Sequence, residues 1–491
     1  MTLDGLATAL LQGAAVVLLA VLGVRLSTRI GVPGLLLFLF LGLVGGLVLP
    51  DLQVDPQSAT VFGYAALVVI LAEGGLTTRL DEVRPVLLPA VALATVGVFV
   101  SIVLVAVPLV LVLGLEMRTA VLLGAVLAAT DAAAVFSVLR RLHLRPRLRG
   151  LLEAEAGFND APVIVLITVV VGSTAAAWAV PLLVLLELLG GALVGVAAGA
   201  GGRWLMPRLA LPAAGLYPIA VLALIAGAYG AADLLHSSGF LAAYLAALLV
   251  GNAPQLPHRR SVVGFAEGLA WAAQIGLFFM LGLLAAPGGL VEALPAAAVA
   301  GLALLLLARP VAAAAALAPF RLPRSWLAFT GFAGLRGAVP IVFAAIPLGA
   351  GVPQARLVFD ATLVLVVLLT LFQTPLLPLL SRRLGVARGV SPDELEVEAA
   401  PLDRLRASLL GFDVPDGSML AGTYVADLRL PKGSAVALIV RDGQPQVPDR
   451  HTRLRVGDQL LVVATDDQAA AVTRRLRRVS ERGRLAGWYE D

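Results

Sequence analysis

Long apolar stretches, broken by short arginine-bearing loops, fill the first 384 residues of the chain; from residue 402 onward the pattern changes to short alternating runs. A stretch of about 17–25 apolar residues can cross the hydrocarbon core of a bilayer as a helix. Thirteen such segments are predicted, at roughly 5–24, 32–49, 59–77, 86–113, 118–139, 150–173, 180–202, 213–234, 238–252, 265–286, 290–318, 325–349 and 355–380. The first lacks a positive n-region and a small-residue cleavage site, and is read as a retained helix. Pro and Gly recur inside the segments, which spanning helices tolerate when neighbours satisfy the freed backbone groups.

The polar, acidic stretch RGVSPDELEVEAAPLD at 388–403 marks a change of character, and residues 385–401 are read as a linker. Beyond it, ASLLGFDV, AVALIV and QLLVVAT alternate as strands do, with DG, KG and GD turn signals between them. A helical stretch near Asp467–Val479 comes after them. The expected organisation is a membrane all-α domain over 1–384 and a small α+β domain over 402–491.

Composition agrees with a chain mostly in lipid: 59% of its 491 residues are hydrophobic and only 14% charged, where a soluble protein carries charge at nearer a quarter. The net charge of +4 does not point to nucleic acid, because the arginines are distributed as topology signals. With the N-terminus outside, eighteen of them fall in loops on the cytoplasmic side, among them Arg140, Arg141, Arg145, Arg147 and Arg149, against Arg118 and Arg356 on the other. That bias predicts a multi-pass inner-membrane protein whose C-terminal domain is cytoplasmic. The chain has no cysteine, so it has neither a disulfide framework nor a thiolate site.

Against this background the polar residues inside the spans stand out. A charge at the centre of a spanning helix costs about 2.5–3.5 kcal/mol on insertion scales, so it argues for function. Residues 128–165 are the richest stretch: Thr130 and Asp131 lie in one segment, and Glu153, Glu155, Asn159 and Asp160 in the next. Glu155 and Asn159 are four apart and share a helix face. Carboxylate and carbonyl-type oxygens at this depth suit a dehydrated monovalent cation, or a proton in its place, and competition between the two at Asp160 would be antiport. A matching anomaly is GFAGLRGAVPIVF at 331–343, centred on Arg336. Gly- and Pro-interrupted segments in corresponding places point to broken helices crossing at midplane. Asp131 and Arg336 would neutralise unpaired helix ends there; for Asp131, ion ligation is an equal alternative. Glu73 and Arg309 are also intramembrane and are read first as a structural pair or interface. Asp233 and His236 fall at a span end and read as boundary residues. No phosphate-cradling GxxxxGK[ST], nucleophile elbow or His-rich metal site occurs, so the expectation is no enzyme and no cofactor, with a gradient as the energy source.

Taken together, LAEGGL at 71–76, AATDA at 128–132, EAEAGFND at 153–160, SGFLAAYLAALLVGN at 238–252, GLAWAAQIGLFFMLGLL at 268–284, ARP at 308–310 and GLRGAVPIV at 334–342 resemble the monovalent cation:proton antiporters of the bacterial Na⁺/H⁺ and K⁺/H⁺ exchanger type. The resemblance implies two inverted repeats, usually in a homodimer, with electroneutral exchange of one cation for one proton. It implies that Asn159 and Asp160 form the transport site, that Thr130 and Asp131 belong to the first broken helix, and that Glu155 pairs with Arg336. Two departures matter: Ala132 stands where Pro is frequent, and Ala156 where many members carry a Ser whose hydroxyl helps hold Na⁺. The segment from Asp413 to Thr465 resembles the TrkA C-terminal domain, without the nucleotide-binding half; such domains commonly dimerise and bind small regulatory ligands. This pairing points to K⁺/H⁺ exchange. A Na⁺/H⁺ exchanger of the same fold, a ligand-gated cation channel and a membrane sensor are the alternatives.

Overall fold

The computed structural model describes residues 3–30, 34–48, 54–142, 144–172, 179–387, 398–402, 407–415, 417–441, 444–465 and 468–483. The chain divides into two compact units, Met1–Ala387 and Arg388–Asp491.

The first unit is helical. Its elements are α1 (Leu3–Ile30), α2 (Gly34–Val48), α3 (Pro56–Thr77), α4 (Leu80–Leu113), α5 (Met117–Ala128), α6 (Ala132–Arg141), α7 (Pro146–Phe158), α8 (Asp160–Gly172), α9 (Val180–Arg208) and α10 (Leu216–Leu234). They continue with α11 (Gly239–Gly251), α12 (Arg259–Leu284), α13 (Leu294–Phe320), α14 (Arg324–Ala333), α15 (Ala338–Gly349) and α16 (Ala355–Arg383). By length and apolarity, eight helices among the described residues qualify as membrane spans, and nine if the bent pair α14–α15 counts as one. Four further apolar helices are 10–17 residues long. This criterion yields fewer spans than the thirteen read from the sequence.

Local chemistry starts and ends these helices. Asp55 accepts from the Ser58 amide at 2.9 Å at the head of α3, where Pro56 takes the first helical position. The Ser238 hydroxyl accepts from the Leu241 amide at 3.2 Å at the head of α11. Inside α4 and α13 the backbone widens to π-helix, at Leu93–Gly97 and Leu304–Ala308. Such bulges shift the helix phase by one residue and re-aim the side chains of the next turn; Arg309 comes directly after the second. A long helix with a π segment, an interrupted pair and another long element thus occur twice, over 80–172 and 294–383. Trp326 is buried in α14.

The second unit is a five-stranded sheet, order β1-β2-β5-β3-β4, with one helix. The strands are β1 (Glu398–Leu402), β2 (Ala407–Asp413), β3 (Ser434–Arg441), β4 (Gln444–Gln446) and β5 (Gln459–Thr465), all antiparallel pairs. β2 lies against β5 from Ala407↔Thr465 to Asp413↔Gln459. The α17 helix (Ala469–Arg482) buries Val472, Leu476 and Val479, spaced four and three apart on one face, against Phe412, Leu460 and Val462. β1 extends sheet pairing into residues read from the sequence as linker.

Candidate functional site

The site is built where two interrupted helices meet. α5 stops at Ala128 and α6 starts at Ala132, so Ala129, Thr130 and Asp131 form the break. α14 and α15 are bent by 51° across residues 334–337. An interrupted helix leaves amides at one end and carbonyls at the other without intrahelical partners, and in a buried place these must be met.

Asp131 meets the amide ends. Its Oδ2 accepts from the Ala338 amide at 2.7 Å, at the head of α15, and its Oδ1 from the Ala134 amide at 3.4 Å, in the first turn of α6. Its own amide donates to Leu335 O at 3.0 Å, stitching the two breaks together. One carboxylate therefore lies at two positive helix ends. Gly337 makes this approach feasible, since a Cβ there would lie 1.8 Å from Asp131 Oδ2. Arg336 meets the carbonyl ends: Nε donates to Leu127 O at 2.8 Å in the last turn of α5, and Nη1 to Gly334 O at 3.2 Å after α14. The opposition of acid and base anticipated from the sequence is present, with each serving both breaks.

Two residues on α16 that the sequence reading did not single out hold the second break. The Thr370 hydroxyl donates to Arg336 O at 3.2 Å, and the Gln373 amide donates to Phe332 O and to Gly334 O, the latter at 3.3 Å. Their signal in the sequence is faint: two neutral polar residues three apart in an apolar helix.

Asn159 and Asp160 lie at a third interruption, between α7 and α8. The Asn159 Nδ2 donates to Thr130 Oγ1 at 2.6 Å, tying this turn to the first break. Asn159 Oδ1 and both carboxylate oxygens of Asp160 are buried and accept no hydrogen bond among the described residues. Thr130, Asp131, Asn159 and Asp160 are each at most 2% exposed. Asp131 is close enough to act on Asp160 electrostatically. The four sequence-predicted residues are thus brought together, and they present an incompletely satisfied set of oxygens. A buried carboxylate in that condition is costly unless it takes up a cation or a proton. Among the described residues no group of three or more His, Cys, Asp and Glu is placed to hold a metal ion.

The expected pairing of Glu155 with Arg336 is corrected. Glu155 Oε1 accepts from Arg309 Nη1 at 2.7 Å, both residues being buried, and Arg309 Nη2 also donates to Thr330 O at 3.1 Å. The physical reason is division of labour: Arg336 spends Nε and Nη1 on helix-end carbonyls, while Arg309 makes the direct contact with Glu155, which still acts on Arg336 electrostatically. Glu73 is buried in α3. Glu153, also buried, lies 3.6 Å from Arg149, which contacts Glu82 at 2.9 Å. Asp233 and His236 line a cleft with Glu187.

Comparison with known proteins agrees with this architecture. Residues 15–383 match the family described as "Sodium/hydrogen exchanger, transmembrane", and residues 409–477 match the TrkA-C domain. The chain is 34% identical over 465 residues to the K(+)/H(+) antiporter NhaP of Alkalimonas amylolytica, covering 91% of this chain and 79% of that one. It is 32% identical over 498 residues to the K(+)/H(+) antiporter NhaP2 of Shewanella baltica (strain OS223), covering 98% and 85%. The solved structure of the sodium proton antiporter MjNhaP1 from Methanocaldococcus jannaschii at pH 8 shares the fold, with a TM-score of 0.66 over 77% of this chain and 99% of that one at 22% identity. The crossed broken helices, the buried Asn159–Asp160 turn and these matches lead to one conclusion: the chain belongs to the sodium/hydrogen exchanger family and carries a TrkA-C domain.

Proposed function

We propose that this protein exchanges K⁺, and also Na⁺, for H⁺ across the inner membrane, electroneutrally and by alternating access. Asp160 carries either the proton or the cation. Asn159 and Thr130 supply neighbouring oxygens, Asp131 and Arg336 hold the crossing, and the Glu155–Arg309 pair braces α7 against α13. The observation that carries the reading is the Asp160 carboxylate, buried with both oxygens unmatched beside an oxygen of Asn159 that is also unmatched. Preference for K⁺ is supported by the named activity of the relatives and by Ala156, one helical turn before Asp160, which offers no hydroxyl to a small, strongly hydrated Na⁺. The arginine bias supports an N-terminus outside and a cytoplasmic TrkA-C domain. That domain adjusts the rate in response to a small ligand, and the protein works as a homodimer in the bilayer, with no nucleic-acid partner and no cofactor.

The test is dissipation of a preset proton gradient in sealed proteoliposomes on addition of K⁺ or Na⁺, with Asp160→Asn alongside. K⁺-driven dissipation that the variant lacks is the expected result. Dissipation by Na⁺ alone would replace the ion and keep the mechanism; dissipation by neither, with folded protein across a wide pH range, would overturn the reading.

A further inference from the structure

The chain passes between two sets of helices at one very short joint. Residues 80–172 and 294–383 carry the interrupted helices; α1–α3 and α9–α12 make up the other set. α3 packs on α11 and α12, and meets the first set at α6 and α15. It ends at Thr77, and α4 begins at Leu80, so Thr78 and Arg79 connect the sets there. Both are extended, with ψ 137° and 119°. Residues 173–179 and 285–293 make the next two crossings. A joint of two residues reaches at most about 7 Å, so it can turn but not lengthen.

One side chain grips both ends of this joint. Asn252 follows the last turn of α11. Its Nδ2 donates to Thr78 O and to Leu248 O, both at 2.8 Å, and its Oδ1 accepts from the Leu80 amide at 3.0 Å. It therefore holds one backbone group before Arg79 and one after it. α11 is itself fixed to α3, because a Cβ on Gly251 would lie 2.6 Å from Leu76 O. Beyond the joint, α4 is fixed to α7. A Cβ on Gly150 would lie 2.6 Å from Glu82 O, and Arg149 Nη2 lies 2.9 Å from the Glu82 carboxylate. α7 ends at Phe158, and Asn159 and Asp160 follow. A rotation at Thr78–Arg79 is thus delivered to the turn that carries Asp160.

We propose that Thr78–Arg79 is a pivot of the alternating-access movement and that Asn252 is its positioning residue, keeping both ends of the joint in place while α4 swings. A hinge is a few element-terminal residues that absorb the backbone change, and this joint has that form. The inference rests on the exchange reading for the movement it serves.

Arg79 gives the direct test, since its φ of −90° is close to that of Pro and the extended Thr78 before it suits Pro as well. Arg79→Pro, Arg79→Ala and Arg79→Gly all lose the contacts with Asp81 and Glu82 and differ in the stiffness of the joint. Relative to Arg79→Ala, the maximal rate of K⁺/H⁺ exchange in proteoliposomes should fall at least fivefold in Arg79→Pro and stay within twofold in Arg79→Gly. Half-saturating K⁺ and the pH profile should be the same in all three. Asn252→Ala should lower the maximal rate about tenfold, again at unchanged half-saturation, and decides the matter where Arg79→Pro does not fold. The chain has no cysteine, so spin labels at Val61→Cys on α3 and Leu111→Cys on α4, both exposed, read the swing without transport. Two interlabel distances are expected in the full-length protein, of which Arg79→Pro should leave one. Equal rates in the Pro and Ala variants, an Asn252→Ala variant altered only in half-saturation, or a single distance that Arg79→Pro leaves as it was would overturn the proposal. Two distances in a wild-type protein that exchanges neither K⁺ nor Na⁺ would instead overturn the exchange reading and leave the pivot standing.

Discussion

Asp131 and Asp160 are both aspartates, both 1% exposed, and both placed where a helix is interrupted. Their surroundings differ completely. Asp131 accepts amides from two helices, whereas neither oxygen of Asp160 accepts a hydrogen bond among the described residues. The first is a charge that the backbone satisfies; the second has no hydrogen-bond partner among the described residues and, in the proposed function, takes up the exchanged ion. Burial of an acid in a membrane protein therefore does not by itself mark the transported ion's place. The proposed function instead takes unused hydrogen-bonding capacity as that mark.

The sharpest way to break this contrast is to remove each acid in turn. Asp160→Asn should leave the folded yield near wild type and abolish exchange. Asp131→Leu should lose folded protein first, because two helix ends are left unmet at about 1–3 kcal/mol for each buried group. Thermal unfolding of detergent-solubilised protein, read beside the transport assay, separates the two; a stable but inactive Asp131→Leu would undo the distinction. Arg309→Leu comes next. Stranding the Glu155 carboxylate should cost about 3–5 kcal/mol, with Arg309→Leu/Glu155→Leu recovering stability in the same unfolding measurement. If Arg336→Leu is rescued by Glu155→Leu instead, the pairing described above is wrong. A smaller effect is expected from Ala156→Ser, which offers an added hydroxyl one turn from Asp160. One ligand on the scale of ~1 kcal/mol should shift the ratio of Na⁺ to K⁺ half-saturation toward Na⁺ by about fivefold.

The smallest effect is in the second unit, where a carboxylate is fully matched in the absence of any ion. Burial pushes the Asp458 carboxyl up, but the hydrogen bonds from the Arg441 guanidinium and the Arg455 amide, with the charges of both arginines, outweigh it and hold Asp458 below the usual carboxylate range. Its stabilising contribution is complete above the unfolded carboxylate's range and is lost as the pH falls through the folded one. Amide exchange along β5 in the full-length protein should therefore accelerate on acidification, and Asp458→Asn should flatten that dependence by on the order of 1 kcal/mol.

Much of the site was legible beforehand because lipid makes charge conspicuous. Asp131, Asn159, Asp160 and Arg336 are visible as anomalies against apolar neighbours, and Gly and Pro near Asn159–Asp160 and near Arg336 mark two of the interruptions. Which guanidinium meets Glu155 was not legible. Arg309 and Arg336 both lie among small residues, and the choice depends on helix rotation, which the π segment at Leu304–Ala308 resets by an amount that no periodicity encodes. Thr370 and Gln373 are inconspicuous in the sequence because a neutral polar side chain in a span costs little and so signals little. In the second unit β2, β3 and β5 are readable from alternation, whereas β1 and β4 are edge strands: one is drawn from an acidic stretch and the other is three residues long.

The bond from the Ala338 amide to Asp131 joins residues 207 apart in the chain. At synthesis rates of about 5–20 residues per second, that separation is roughly 10–40 s. During this interval the first broken helix exists while the segment that neutralises it has yet to be made. A lone aspartate at that depth costs about 2.5–3.5 kcal/mol, enough to keep the early segment from settling on its own. The first broken helix is therefore expected to settle in the bilayer only after the second half of the chain has been made, which the delayed protection of a Cys placed beside Asp131 in truncated nascent chains would check.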